Sequence, residues 1–513
     1  MRVAVYAFAF LGGCGVMVIE ILGARVLNPH FGATLYIWTA QIGVTLACLA
    51  AGYWAGGCLA RHEAEPPRAA GWYMHIGILS ALAGSWMLCL PIIAGVMLPL
   101  LHGIDLRVGA LAGSALLFAV PLCLLACLPP VCVASLSTGR VPAGTVAGRV
   151  YAVSTSGGFA TTLCVGFWLI PAHSIRLTIQ ISGTVLLATG AAMAFFHAIR
   201  GVGRAVLVLA ALCLGGMVTA LWPRPLAGKG IVYQVDSPHA EIAVLDTGAF
   251  RTLLIDRVGH SVLSESDWMP IDPHFYYLNA LTHMRPQGRQ ALLLGVAGGC
   301  ALRAVESAGL CWDAVELDAE VLEAARTFLN LPDGPRIRYI VADGRTFLRS
   351  TDRRYDFIIM DTYASGGMPR HLCSKEAFGE ARSVMSEAGI LVVNLLGSRT
   401  GPNSRSWTAT WHTLAAVFKH VRAFSSNSRS FSDALGVVTL FASDVSLDMP
   451  GPDLLPDGFS GTTLGHLRQM SACELAEPRG PRVLLTDDRN PIEGWALETA
   501  NSVRAAWSAA SGF

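Results

Sequence analysis

Hydrophobic residues follow two different rhythms along this chain of 513 residues. Up to residue 222 they come in long unbroken runs, near 3–27, 36–60, 72–98, 107–135, 146–170, 175–199 and 203–222. A helix needs roughly 20 predominantly apolar residues to cross a bilayer, so the pattern predicts an α-helical membrane bundle of about seven spans. The first run starts just after Arg2 and is longer than the core of a cleavable leader, so it reads as an uncleaved span. Gly52 and Gly56, like Gly109 and Gly113, recur four residues apart, a spacing that lets helix backbones pack closely.

After Trp222 a Pro- and Gly-rich linker, PRPLAGKG, leads into IVYQV, EIAVLD and RTLLID, where apolar and polar residues alternate. Alternation with turn signals between the runs predicts a small antiparallel β unit. Beyond residue 288, short apolar runs (QALLLG, WDAVELD, IRYIVAD, YDFIIMD, GILVVNLL) alternate with helical stretches such as 318–330 and 374–387. That alternation predicts an α/β, doubly wound parallel sheet with helices on both faces. The expected division is a helical domain over 1–222, a linker and β unit over 223–285, the sheet domain over 286–445, and a C-terminal tail with a helix over 446–513.

Composition agrees with two solvents. The chain is 53% hydrophobic and 14% charged, against about 25% charged in an ordinary soluble protein. Only 14 of its 73 Asp, Glu, Lys and Arg residues precede residue 223. The net charge of +1 gives no support to a nucleic-acid partner. Nine of the 13 cysteines lie in the apolar half, and Cys300, Cys311, Cys373 and Cys473 show neither paired nor metal-like spacing, so no metal is expected.

Glu20 is the ionisable residue out of place, because a charge inside a span needs a polar partner or a wet cavity. Arg25, five positions on, lies about 140° around the helix and is a poor same-face partner. Glu20 either fixes packing against another helix or contacts substrate or a proton. Seven arginines on the N-terminal side of the spans against five basic residues on the other would put the polar half outside the cytoplasm. The cytosolic ligand argued for below puts it inside, in a multi-pass protein of the cell (inner) membrane. A difference of two residues is too small to outweigh a cytosolic ligand.

In a doubly wound sheet the ligand sits at the carboxyl ends of the strands. The first strand ends in a glycine turn, Gly295-Val-Ala-Gly298-Gly299, where a ligand can approach the backbone. The second ends in Glu316, an acceptor for two ribose hydroxyls, with Asp318 beyond it as a helix N-cap. The third ends in Asp343-Gly344, suited to an adenine amino group, and the fourth in Asp361, facing the cleft. The turn GVAGGC departs from G-x-G-x-x-G, which disfavours a pyrophosphate. S-adenosylmethionine or its decarboxylated form meets the description.

With LLLGVAGG, VELD, VADGR and YDFIIMD in this order, residues 230–400 resemble the spermidine synthase (polyamine aminopropyltransferase) family. Glu20 through Arg25, Pro29 and Gly32, followed by GYWAGG, resembles its membrane-fused members. The resemblance implies a class I methyltransferase-like sheet, with Glu316 on the ribose and Asp343 and Gly344 at the adenine. It implies that Pro369 lines the nucleoside pocket and that Asp361 accepts a proton from an attacking amine. Tyr277 takes the place of a substrate-facing Tyr, unless it is simply a buried aromatic; Tyr363 and His371 are further substrate candidates, and Arg370 with His371 forms either a lid or a surface loop.

Two of the departures fall on the polyamine side. Soluble members carry an Asp where this chain has Gly298 and another where it has Ala364, and a nucleoside-contacting Gln aligns with Ala240. Glu241, Asp256, Asp267 and Asp272, or Asp487 and Asp488, are candidates to compensate, although Asn490-Pro491 with Glu493 also makes an ordinary helix start. The leading expectation is a membrane-embedded transferase passing an aminopropyl group from decarboxylated S-adenosylmethionine to an amine. A methyltransferase acting on another small-molecule or membrane-associated acceptor keeps the same nucleoside contacts. A nucleoside or polyamine sensor or transport component without turnover is the third possibility. The bilayer and a second copy in a homodimer complete the expected partners.

Overall fold

The computed structural model describes all residues except 1, 33–34, 63–68, 102–103, 138–140, 171–172, 198–229, 306–308, 364–366, 428–433, 449–458 and 496–513. The chain forms two compact units, Met1–Pro225 and Leu226–Phe513.

Among the described residues the first unit holds six helices long and apolar enough to cross a membrane. They are α1 (Arg2–Phe31), α2 (Leu35–His62), α3 (Ala69–Met97), α4 (Leu106–Leu136), α5 (Ala143–Cys164) and α6 (Ile175–His197). This is one fewer than the expected seven, and the run at 203–222 lies outside the described residues. Asp105 starts α4 by accepting from the N–H groups of Arg107 and Val108 at 3.0 and 3.4 Å.

Small residues set the helix contacts. On α3 and α6, a Cβ at Gly77 would stand 2.7 Å from Gly190 O, and one at Gly190 would stand 2.6 Å from Gly77 O. Gly52 and Gly56 bring α2 equally close to the Cys123 and Cys127 backbone of α4. Gly13 and Gly157 do the same for α1 and α5, against the Ser154 and Phe10 carbonyls. Gly109 and Gly113 make room for the Phe31 ring instead of a backbone. A buried Gln41 accepts from Ser114 Oγ at 2.7 Å and donates to Ile19 O at 3.3 Å, next to Glu20. Glu20 itself is half-buried on α1, with no hydrogen-bond or ion-pair partner among the described residues.

The second unit opens with an antiparallel meander of β1 (Ile231–Asp236), β2 (Glu241–Asp246), β3 (Phe250–Ile255) and β4 (Val258–Ser264). Asp256 and Arg257, at φ 47° and 63°, form the tight β3–β4 turn, a conformation that matches the twist of paired strands. Asp256 accepts from Glu241 N at 3.1 Å and Arg257 pairs with Glu241 at 3.3 Å.

After short helices α7 (Pro273–Tyr277) and α8 (Ala280–Met284) comes the large sheet. Its strands are β5 (Gln290–Leu294), β6 (Cys311–Glu316), β7 (Ile337–Val341), β8 (Tyr355–Met360), β9 (Met385–Gly397), β10 (His420–Ser425), β11 (Gly436–Ser443) and β12 (Glu474–Leu475). They lie in the order β12-β10-β11-β9-β8-β5-β6-β7. The strands from β7 to β9 are parallel, and β9, β11, β10 and β12 pair antiparallel. The sheet is therefore mixed, and β12 carries it into the segment expected to be a tail. Helices α9 (Cys300–Ala304), α10 (Ala319–Phe328), α11 (Gly344–Ser350), α12 (Lys375–Ser383), α13 (Arg405–Ala415) and α14 (Gly461–Ala472) complete the unit.

Alternate residues of β5 face opposite layers. Ala291 and Leu293 pack with Ile242, Val244 and Leu253 of the small sheet, whereas Leu292 and Leu294 pack with Phe378 of α12 and Trp407 of α13. The chain order reverses between β5, which continues to β6 on one side, and β8 on the other. Their carboxyl ends are the switch point where such sheets bind ligands.

Gly190→Leu is expected to force α3 and α6 apart at a cost of about 3 kcal/mol or more. Gly144→Leu, where nothing stands within 4 Å of the added Cβ, is expected to be harmless. Size-exclusion profiles of the two variants in detergent check this.

Candidate active site

The switch point is built on a contact between two backbones. Gly295, at φ 88°, lies against the Asp361 carbonyl so closely that no side chain fits, and Asp361 N donates to Leu294 O at 2.9 Å. This places the Asp361 side chain in a cavity of about 510 Å³. Asn394 of β9 donates to Asp361 Oδ1 at 3.1 Å. Burial nevertheless raises the carboxyl to about 6; Asn394 opposes the rise, and the negative charge of Asp272 adds to it.

Asp272 lines the same cavity. It stands at the N-cap position of α7, but its carboxylate caps no backbone N–H, and burial raises it too. His260 of β4 and His274 of α7 complete this wall. Burial pushes their imidazoles down to about 4 and about 3, so both are neutral at pH 7. The hydroxyl of Tyr363, also in the lining, His260 Nε2 and His274 Nδ1 are buried atoms without hydrogen-bond partners among the described residues. The Cys300 thiol below them is pushed up to about 12 by burial.

The glycine turn is held from both sides. Glu316 Oε2 accepts from the N–H groups of Val296 and Ala297 at 2.9 and 3.1 Å, and Oε1 accepts from Leu317 and Asp318 at 2.9 and 3.3 Å. Burial pushes this carboxyl up against the pull of those four N–H groups. Glu316 thus fastens β6 to the turn, a role its position in sequence does not disclose. Asp318 caps α10 through Glu320 N at 3.0 Å, as its spacing suggested. On the other side Ser261 Oγ accepts from Gly298 N at 2.9 Å. A Cβ at Gly298 would stand 2.7 Å from Ser261 Cβ, so the space of the expected carboxylate is filled by a serine from β4. Gly299, at φ 79°, leads into α9.

Asp343 caps α11, accepting from Thr346 N at 2.8 Å and Thr346 Oγ1 at 3.0 Å. His371 Nε2 lies 3.0 Å from its other oxygen. Burial raises the Asp343 carboxyl, but these contacts outweigh it and the net shift is downward. Neither Glu316, Asp343, Gly344, Pro369 nor His371 belongs to the cavity that holds Asp361. Tyr277 is also elsewhere. Its ring is fully buried and its hydroxyl donates to Ser425 O at 3.3 Å, so the reading as a core aromatic describes it, and the substrate-facing one does not.

Most of the candidate compensating acids are committed to the fold. Glu241 and Asp256 serve the meander, and Asp267 accepts from Met269 N at 3.0 Å. Asp487 is held near 2 by Arg345, 2.7 Å away, which also pairs with Glu380, and Ser374 donates to it. Asn490 donates to Arg370 O and Cys373 O and accepts from Ile492 N, as a helix start should. Ala364 lies outside the described residues. Among the described residues no group of three or more His, Cys, Asp and Glu is arranged to hold a metal ion.

The spermine/spermidine synthase domain matches residues 275–443, from α7 through β11. The polyamine aminopropyltransferase 1 of Hyperthermus butylicus is 30% identical over 247 residues, 45% of this chain and 79% of the relative. The chain belongs to the spermidine synthase family. The polyamine aminopropyltransferase of a Synechococcus species is 31% identical over 237 residues, 42% of this chain and 71% of its own. The solved spermidine synthase from Thermotoga maritima superposes with a TM-score of 0.36 at 20% identity, over 43% of this chain and 75% of that one. This family member is a transferase, and the expected resemblance holds.

Gly298→Asp is expected to destabilise the protein by about 1–3 kcal/mol through overpacking. Adding Ser261→Gly should restore at least half of that, because the two side chains compete for one space. Chemical denaturation of the single and double variants measures the coupling.

Proposed function

We propose that the protein is a membrane-embedded aminopropyltransferase that joins the aminopropyl group of decarboxylated S-adenosylmethionine to an amine. One observation carries the reading. A carboxylate at the switch point, raised to about 6, lines a cavity that also contains a second acid and, among the described residues, no Lys or Arg. Such a cavity favours cationic substrates, and a base of this strength is ionised at neutral pH yet able to take up a proton.

In the step proposed, the lone pair of a neutral amine nitrogen attacks the aminopropyl carbon bonded to the sulfonium. The C–N bond forms as the C–S bond breaks, and its electron pair leaves on sulfur as a neutral thioether. The nitrogen's surplus proton passes to Asp361 and then to water. Holding nucleophile, carbon and sulfur in line supplies most of the rate. Gly295, Gly299, Asp343, Gly344 and Pro369 are assigned to the nucleoside. Glu316 is assigned to setting the turn beside the ribose, since its carboxylate already accepts four N–H groups.

The six apolar helices support membrane embedding. They display Trp54, Phe159 and Phe196 largely exposed, apolar surface that lipid would cover. A cytosolic donor places the second unit on the cytoplasmic side.

Purified full-length protein is expected to release methylthioadenosine from decarboxylated S-adenosylmethionine plus putrescine, and no S-adenosylhomocysteine from S-adenosylmethionine. Asp361→Asn should lower kcat/KM by about 10²–10⁴-fold. Since Asp361 acts as its anion, kcat/KM of the parent should fall tenfold per pH unit below about 6. Release of S-adenosylhomocysteine would replace this reading with methyl transfer.

A further inference from the structure

Resting on that reading, the geometry points to Asp272 as the anchor for a second, unreactive ammonium in the substrates, leaving Asp361 free to serve the reacting nitrogen. Asp272 and Asp361 are the only charged residues in the cavity lining among the described residues. The lining holds no Lys or Arg, and its two imidazoles are neutral at pH 7. Two anions facing one cavity without a countercharge repel each other, and a ligand bearing two positive charges relieves that repulsion.

Asp272 has the free valence for the task. Its carboxylate has no hydrogen-bond or ion-pair partner among the described residues, although it stands where a helix N-cap would bind a backbone N–H. Beside it His274, 4% exposed, presents a buried Nδ1 with no partner among the described residues. A neutral imidazole nitrogen buried this way is a hydrogen-bonding site for a ligand. The turn position where relatives carry an acid is closed here, because Ser261 fills the space beside Gly298. The charge lost there is supplied instead by the segment between the small sheet and α7.

The second ammonium has two possible sources, the free end of the donor's aminopropyl group or the far end of a diamine acceptor. Calorimetric titration of the full chain in detergent distinguishes them. Methylthioadenosine, which lacks the ammonium, is expected to bind the parent and Asp272→Asn alike. If Asp272 holds the donor, Asp272→Asn should weaken decarboxylated S-adenosylmethionine about 10–100-fold. If it holds the acceptor, putrescine titrated into the methylthioadenosine-loaded protein should weaken by about that factor, while n-butylamine does not. Asp272→Glu should recover most of either loss.

The pH profile gives a second readout. The groups facing Asp361 are His260 from β4, Asp272 and His274 at α7, Cys300 from α9, Asn394 from β9 and the adjacent Tyr363. Of these only Asp272 carries charge near neutrality, so Asp272→Asn should move the acid limb of kcat/KM to lower pH. Unchanged donor and diamine affinities in Asp272→Asn, or equal losses in Asp272→Asn and Asp272→Glu, overturn the anchor. If Asp361→Asn still abolishes turnover in that case, the aminopropyl reading survives alone. A parent protein that binds neither cation overturns both.

Discussion

The contact between Gly295 and the Asp361 carbonyl governs the chemistry of the second unit. Strand order places β5 beside β8, and only a residue without a side chain lets the two chain ends pass this closely. The consequence is electrostatic. Asp361 is buried in the cavity wall, its carboxylate accepts from a neutral Asn394, and the charge acting on it is that of another acid, Asp272. Each of these features except the amide favours the protonated form. A carboxyl free in water would already be ionised near pH 4 and would be a weak base; here the fold strengthens it.

The same cavity wall settles what surrounds that base. Glu316 spends its carboxylate on the turn between β5 and α9, and Ser261 braces the turn from the small sheet. The turn is therefore rigid from both sides, and the space for an acid at Gly298 is closed. Asp272 comes from a different element, which allows the cavity to keep two negative charges while the turn itself is neutral.

Much of the fold was legible in the residues. Unbroken apolar runs announce the helices of the first unit, and QALLLG, WDAVELD, IRYIVAD and YDFIIMD announce the parallel strands, because burial on both faces demands continuous hydrophobicity. Positions at strand ends, Gly295, Glu316, Asp343 and Asp361, follow from the same logic. What they do there follows from contacts far away in sequence. Glu316 looks like a free acceptor until the turn is seen bonded to it, and Asp343 is a helix cap paired with His371. Tyr277 aligns with a substrate contact but reaches the Ser425 carbonyl, 148 residues away. No local pattern marks Ser261, His260 or His274. Asp272-Pro273 reads as a helix start, and its missing cap bond exists only in three dimensions.

In the first unit, glycine pairs such as Gly77 and Gly190 bring backbones together, and Gln41 carries a buried polar link from α1 to α4. In the second unit, the role proposed for Asp361 is to receive the proton of an amine. A structure of the full chain with methylthioadenosine and putrescine tests it most directly. One amine nitrogen is expected within about 2.7–2.9 Å of an Asp361 carboxylate oxygen. An ordered diamine with neither nitrogen in reach of Asp361 would contradict that role.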